Sequence, residues 1–211
     1  MERMELVYSR ERARQQSAEI DDRELAIRAR SGDAIAFETL VLRKTPAVVS
    51  VARRIIGDAD EARDVAQLVF LRVWDSLARY DEKYSFNTWL YRIATNLSID
   101  FLRANRSREK AHGATLHLVR GREAALEEEA TFALESSQVA QLFERVSEDL
   151  SEKQKAAFVL REIDGLDSKD VAKILGCGES TVRNHLFNAR KALQKKLRRE
   201  FPNLFRRWSR Q

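Results

Sequence analysis

Very little in this chain of 211 residues interrupts a helix or cross-links one: it holds two prolines, seven glycines and one cysteine. Proline fixes φ and removes a backbone donor, and glycine leaves the backbone free, so their scarcity removes the usual punctuation of turns and sheets. With 44% hydrophobic and 34% charged residues interleaved, the composition predicts an all-α protein without a sheet. The lone Cys177 excludes an intrachain disulfide and suits a reducing compartment. No apolar run approaches the length of a membrane span, and the opening "MERMELVYSRERAR" lacks the apolar core of a signal peptide. A soluble, cytoplasmic protein without direct membrane insertion is expected. His112 and His117 have no Cys or carboxylate at ligand spacing, so no metal site is expected. No Ser/His/Asp set or Gly-rich phosphate loop emerges either, so neither an enzyme nor a cofactor or small-molecule substrate is expected.

What the chain does have is charge, unevenly placed. The formal net charge is +5, yet Leu166–Gln211 carries twelve Lys/Arg against four Asp/Glu, while Glu109–Glu152 carries four basic and ten acidic residues. A basic end and an acidic middle imply different neighbours. Within the basic end, "LDSKDVAKILGCGESTVRNHLFNARKAL" has two apolar-periodic segments. Val171, Ile174 and Leu175 mark the first, Val182, Leu186, Ala189 and Leu193 the second, and Gly176 to Gly178 separate them. The pattern is a helix, a glycine turn and a helix. When the second helix begins with small polar and basic side chains, this is the sequence form of a DNA-reading helix-turn-helix. Glu179, Ser180, Thr181, Arg183 and Asn184 offer donors and acceptors for base edges, and Arg183 and Arg190 can reach bases or phosphates. An αα-hairpin with a solvated face shares the pattern, but the lopsided charge favours DNA.

Toward the N-terminus, residues 1–20 carry mixed charge without a period and read as a flexible extension. "DDRELAIRAR" predicts a short helix and "SGD" a capped break. "AIAFETLVLRKTPAVVSVARRIIG" predicts a longer helix, kinked at Pro46, with Phe37, Leu40, Val41, Val48, Val51, Ala52 and Ile55 on one side. "DADEARDVAQLVFLRVWDSLA" then places Val65, Val69, Phe70, Val73, Trp74 and Leu77 on a core arc. It leaves Leu68 and Leu71 among Glu61, Asp64, Gln67 and Asp75, an acidic face with bare aliphatics such as a protein-docking helix presents. Coverage of both leucines by a neighbouring helix of the same chain is the alternative.

After "RYDEKYS" comes "FNTWLYRIATNLSIDFLRANRSR". Phe86, Trp89, Leu90, Ile93, Ala94, Leu97 and Phe101 keep helical spacing and predict a buried face. Arg92, Asn96, Arg103 and Arg106 share the other, with Thr88 and Thr95 beside them. Aromatics next to an Arg/Asn stripe suit unpaired bases, which stack on rings while cations hold their backbone. Anchoring of a helix start is the ordinary alternative. Ser107 to Thr131 lose periodicity and run acidic, predicting a linker. Phe132 to Leu150 regain helical spacing, and Ser151 with Gln154 predicts a capping box before a further helix. The architecture expected is all-α, two small helical domains joined by a flexible linker, the second ending in the helix-turn-helix. The segments are an extension over 1–20, a first domain over 21–106, an acidic linker over 107–131, a second domain over 132–200 and a basic tail over 201–211.

In that order, "DEARDVAQLVFLRVWDSL", "YSFNTWLYRIATNLSIDFLR", "LSEKQKAAFVLREIDGLDSKDVAKILG" and "STVRNHLFNARKAL" resemble the motifs of bacterial RNA polymerase sigma factors of the sigma-70 family, extracytoplasmic-function (ECF) subgroup. The resemblance implies a factor that binds core RNA polymerase and directs promoter-specific initiation. It would melt the −10 element, read the −35 element, and answer to an anti-sigma factor. It places Asp64, Gln67, Leu68 and Phe70 on the helix that docks on the β′ clamp, and the second domain near the β flap. It assigns Tyr84, Phe86, Asn87, Trp89, Arg92, Asn96, Asp100 and Arg103 to −10 DNA. Glu179, Ser180, Thr181, Arg183, Asn184, Phe187 and Arg190 fall to −35 DNA, and the linker would run toward the RNA exit path as a mimic of RNA. Leu68, Gly178 and His185 depart from the residues usual in the family.

Overall fold

The computed structural model describes residues 20–112, 132–203 and 205. The extension expected over 1–20 therefore lies, apart from Ile20, outside the described residues, as do 113–131 of the expected linker and most of the basic tail. Among the described residues there is no strand. Eight α-helices follow one another: α1 Asp22–Arg30, α2 Ala34–Ile56, α3 Ala59–Ser76, α4 Phe86–His112, α5 Phe132–Ser147, α6 Glu152–Phe158, α7 Ser168–Leu175 and α8 Glu179–Glu200. The chain divides into two compact units. The first takes the chain to Arg53, Asp58–Ser98 and Lys173–Gly176; the second takes Arg54–Gly57, Ile99–Ala172 and Cys177 onward.

Local chemistry sets the helix ends of the first unit. Asp21 caps α1, its carboxylate accepting from Glu24 N at 2.7 Å. The "SGD" break forms where Gly32 adopts φ +97°, and Asp33 starts α2 by accepting from Ile35 N and Ala36 N, each at 3.0 Å. Asp58 caps α3 in the same way, at 2.9 and 3.0 Å to Asp60 N and Glu61 N. Each cap supplies an acceptor to donors that have no partner inside the helix. α2 continues through Pro46. Leu25, Leu40, Val48, Val51, Val65, Val69, Val73, Phe86 and Leu90 form the interior of this unit, each burial contributing about 1.5–3 kcal/mol.

Two core expectations need correction. Trp74 was placed on the core arc of α3 but is 48% exposed. The buried arc is filled by Ala62, Val65, Ala66, Val69, Phe70 and Val73, and Trp74 lies about 100° from its centre, where its ring packs edge-on with that of Phe37, ring centres 4.7 Å apart. On α4, Thr95 was placed on the polar face but is fully buried. The buried row runs Phe86, Leu90, Ala94, Ser98 with Thr95 and Ile99. Steps of four drift about 40° per turn around a helix, which leaves Trp89, Ile93, Leu97 and Phe101 half-buried.

In the second unit the expected capping box is present: Gln154 N donates to Ser151 Oγ at 3.3 Å and Ser151 N to Gln154 Oε1 at 3.1 Å. The helix expected to run on from α6 instead widens over Val159–Ile163, with Asp164 N reaching back to Val159 O at 2.9 Å and Leu166 N to Leu160 O at 3.0 Å. Helices α5 and α6 both pack on α8. Phe143 of α5 stacks on Phe158 of α6, ring centres 5.7 Å apart. Lys196 is buried against the α5–α6 turn, its ammonium 2.9 Å from Glu148 and 3.5 Å from Asp149. Lys196 thereby anchors the second half of α8.

Candidate nucleic-acid interface

The first half of α8 is oriented by a seam. Val182, Leu186 and Ala189 are buried, and a helix whose i, i+4, i+7 row is fixed inward must turn the opposite arc outward. Glu179, Ser180, Thr181, Arg183, Asn184, Phe187 and Arg190 are all exposed, as the sequence led one to expect. Gly176 takes φ +62° and lets Cys177 N return to Ala172 O at 3.0 Å, which closes α7 and starts α8 two residues later. Gly178 caps α8 without a side-chain bond, so its first amides stay available to an anion. Phe187 stands 65% exposed amid polar neighbours, a ring suited to a thymine methyl. Arg183 makes no ion pair or hydrogen bond with a described residue, whereas Arg190 is held by Glu162 at 2.7 Å. Burial, and then the nearby Lys153, hold the His185 imidazole below its ordinary pKa, which disfavours a positive charge there.

The turn from Tyr80 to Ser85 and the start of α4 form the second candidate surface. Tyr80 is buried and donates its hydroxyl to Tyr84 O at 2.9 Å. Burial raises that hydroxyl's pKa, against the Arg23 charge, which keeps it a neutral donor. The Tyr80 ring lies 5.7 Å from Phe86 and 5.3 Å from Trp89. Phe86, assigned to DNA by resemblance, is only 2% exposed. It is a packing residue in the middle of this ring cluster and has no face to offer a base. Trp89 is half-buried, and Tyr84 is 51% exposed. Asn87, Arg92, Asn96, Asp100 and Arg103 are exposed along α4, with Arg103 3.7 Å from Asp100. An exposed ring at the start of a helix that carries exposed Arg and Asn side chains can stack a base and hold its backbone.

A third surface lies on α3. Asp64, Gln67, Leu68, Leu71 and Asp75 are exposed within an arc of about 100°, Leu68 and Leu71 at 52% and 62%. Trp74 borders them, an exposure that its spacing did not reveal because that spacing fits the margin of the core arc equally well. Phe70, assigned to this surface by resemblance, is 9% exposed. It lies on the core side and supports the helix from beneath.

Most of the chain is similar to known proteins. The family model described as Sigma-70 region 2 matches residues 40–108, and that described as Sigma-70, region 4 matches residues 140–193. The RNA polymerase sigma-H factor of Pseudomonas aeruginosa is 33% identical over 183 residues, which are 83% of this chain and 93% of that protein. The ECF RNA polymerase sigma-E factor of Escherichia coli K12 is 32% identical over 185 residues, 86% of this chain and 96% of that protein. The solved structure of CnrH, in complex with the cytosolic domain of CnrY, aligns with a TM-score of 0.61 and 28% identity, over 85% of this chain and 98% of that one. With both regions matched in order and the relatives spanned almost end to end, the chain belongs to the sigma-70 family of RNA polymerase sigma factors, in its ECF group.

Proposed function

We propose that this protein binds core RNA polymerase and directs it to promoters by dividing the work between its two helical regions. The exposed arc of α8 reads the −35 element as duplex in the major groove. Arg183, Ser180, Thr181 and Asn184 face base edges, Phe187 lies against a thymine methyl, and Glu179 and Arg190 flank them. The turn Tyr80–Ser85 and α4 take the melted −10 strand. Tyr84 and Trp89 supply rings, while Asn87, Arg92, Asn96, Asp100 and Arg103 line its path. Extruding a base costs a few kcal/mol and stacking returns about 1–3 kcal/mol per base, so capture needs the polymerase as well as these rings. Asp64, Gln67 and Leu68, joined by Leu71, dock on the β′ clamp. Region 4 sits by the β flap, and the acidic segment between α4, which runs on to His112 beyond the linker start expected at Ser107, and α5 tethers the two halves.

The observation that carries this reading is the contrast on α8, where every assigned side chain is exposed above a seam of three buried ones. Sigma factors act as non-catalytic initiation factors, and this chain works by binding alone. Among the described residues no helix is long and apolar enough to cross a membrane; the protein acts in the cytoplasm, where the polymerase is. An anti-sigma partner covering both regions holds it inactive, a reading supported by the docking leucines that the free chain leaves bare. Transcription on promoter fragments tests the proposal. Start-site-specific RNA should require both core polymerase and this protein. Tight operator binding without polymerase, and no initiation with it, would make the chain a self-sufficient regulator.

A further inference from the structure

Helix α1 lies outside the residues 40–108 matched by the region 2 model, and none of the roles above uses it. It is a firm mount. Leu25, Ala26 and Ala29 are buried, and Asp22 at its start pairs with Arg43 at 2.8 Å and with Lys44. Arg43 also donates to Ile20 O at 2.9 Å. The helix packs on the short turn Leu77–Arg79 that leads into the Tyr80–Ser85 segment.

From the end of that mount Arg30 reaches across fifty positions of sequence. Its Nη1 donates to Tyr80 O at 3.3 Å and its Nη2 to Glu82 Oε1 at 2.5 Å. Arg23, two turns earlier on the same face of the helix, stands 3.8 Å from the other Glu82 oxygen. A guanidinium is a rigid planar fork, so two bonds made by one side chain fix two points of the turn relative to each other. Tyr80 then passes the constraint on: its carbonyl is held by Arg30 while its hydroxyl holds the carbonyl of Tyr84. The position of the exposed Tyr84 ring is thereby referred back to α1. Charge adds a second effect. Asp81 and Glu82 are acidic residues on a segment that is to meet a polyanion, and the two arginines cancel Glu82 where a phosphate would pass. Arg30 and Glu82 are each 33% exposed, and pairs so placed add little to folding stability, which leaves shaping of the turn as the main consequence.

We infer that Arg30, assisted by Arg23, is a positioning residue for capture of the single strand: it holds the Tyr80–Ser85 turn in shape from a helix outside the family's matched core. The inference rests on the reading of that turn as the −10 capture element. The test uses holoenzyme reconstituted from core polymerase and the full chain, and measures three quantities. These are affinity for a single-stranded −10 oligonucleotide, discrimination between bases at the captured position, and affinity for a −35 duplex. Arg30→Ala should weaken strand binding about fivefold or more, the equivalent of one stacking contact. It should also flatten base discrimination, with −35 affinity and the melting midpoint of the free protein unchanged. Arg30→Lys should restore much of the affinity by keeping the charge beside Glu82. It should not restore discrimination, because a single ammonium cannot reproduce the fork. Tyr84→Ala serves as the reference for the turn itself. If Tyr84→Ala weakens strand binding and Arg30→Ala does not, the positioning role is wrong while the reading of the turn stands. If neither has an effect, the turn does not capture the strand and the inference falls with it. A loss in Arg30→Ala that extends equally to −35 affinity and to melting marks an ordinary structural residue and also overturns the proposal.

Discussion

Arg183 offers the sharpest measure of whether α8 reads sequence. It is exposed on the turn after the buried Val182 and makes no ion pair or hydrogen bond with any described residue. Truncation to Ala therefore removes nothing the fold uses, and stability should stay within about 0.5 kcal/mol of the parent. A bidentate contact to a guanine edge is worth about 1–3 kcal/mol of discrimination, so holoenzyme affinity for the −35 duplex should fall about 5- to 150-fold. The loss should be confined to one base pair, at which the variant becomes indifferent. Arg190 provides the internal contrast. Its guanidinium is already 2.7 Å from Glu162, so DNA must compete with that carboxylate. Arg190→Ala should cost less, with a loss spread evenly over sequences. The assay is competition binding of holoenzyme to duplexes carrying each base at each −35 position, repeated at several salt concentrations. If Arg183→Ala instead weakens every duplex alike and lowers the salt slope by about one, the residue is a phosphate anchor. If it has no effect, this arc of α8 does not face DNA.

Other outcomes follow from burial. Phe86→Ala should destabilise the protein by about 3–5 kcal/mol in chemical denaturation, because its 2% exposed ring is packing; Tyr84→Ala should leave stability unchanged and weaken strand binding. Leu68→Asp combined with Leu71→Asp should reduce affinity for core polymerase about tenfold or more, measured by co-sedimentation, while the melting curve of the free protein is retained. Burial pushes the Lys155 ammonium down to about 8, against the upward pull of Glu144 and Glu148. The unfolded chain then binds this proton more tightly than the folded one, so stability should rise between about pH 8 and 10 as the folded ammonium deprotonates. Lys155→Met should stabilise the protein at pH 7 by up to roughly 3 kcal/mol and remove that rise, as read from denaturant midpoints at about pH 7 and 9.5; an unchanged slope would refute it.

Where the sequence spoke plainly, one helix face had strong contrast. In α8 the apolar positions Val182, Leu186 and Ala189 alternate with small polar and basic residues. Only one rotation of the helix buries the former, and all seven assigned residues emerged exposed. The helix-turn-helix and the caps at Asp33 and Ser151 were legible for the same local reason, whereas the sequence left open whether Leu68 and Leu71 of α3 are covered, and the structure exposes them. On α3 and α4 the apolar residues cover an arc wider than the core can accept. Phe70, Trp74, Phe86 and Trp89 then compete for it, and spacing cannot say which rings enter. The interior admits Phe86 and Phe70 and leaves Trp74 and part of Trp89 outside, an outcome decided by neighbours distant in sequence. Family motifs could not resolve it either, since a ring that builds a pocket and a ring that touches a base both belong to the motif. Least legible was the Arg30–Glu82 pair, two charged residues in unrelated segments that ordinary composition would assign to solvent.

These two kinds of ring act together. A base that leaves its stack needs an aromatic surface that does not retreat when pressed, and an exposed tyrosine on a six-residue turn would do so if the turn were held only by its own backbone. Here Tyr80 and Phe86 meet edge to face at 5.7 Å, and Tyr80 in turn anchors the Tyr84 carbonyl. The buried rings thus supply the stiffness that the exposed ring lacks. Loss of Phe86 should therefore weaken strand binding even under conditions in which the protein stays folded, and by more than any base contact of its own could explain. Removing a ring that faced the strand would instead change binding with little change in stability, and the ratio of those two losses separates a supporting role from direct contact.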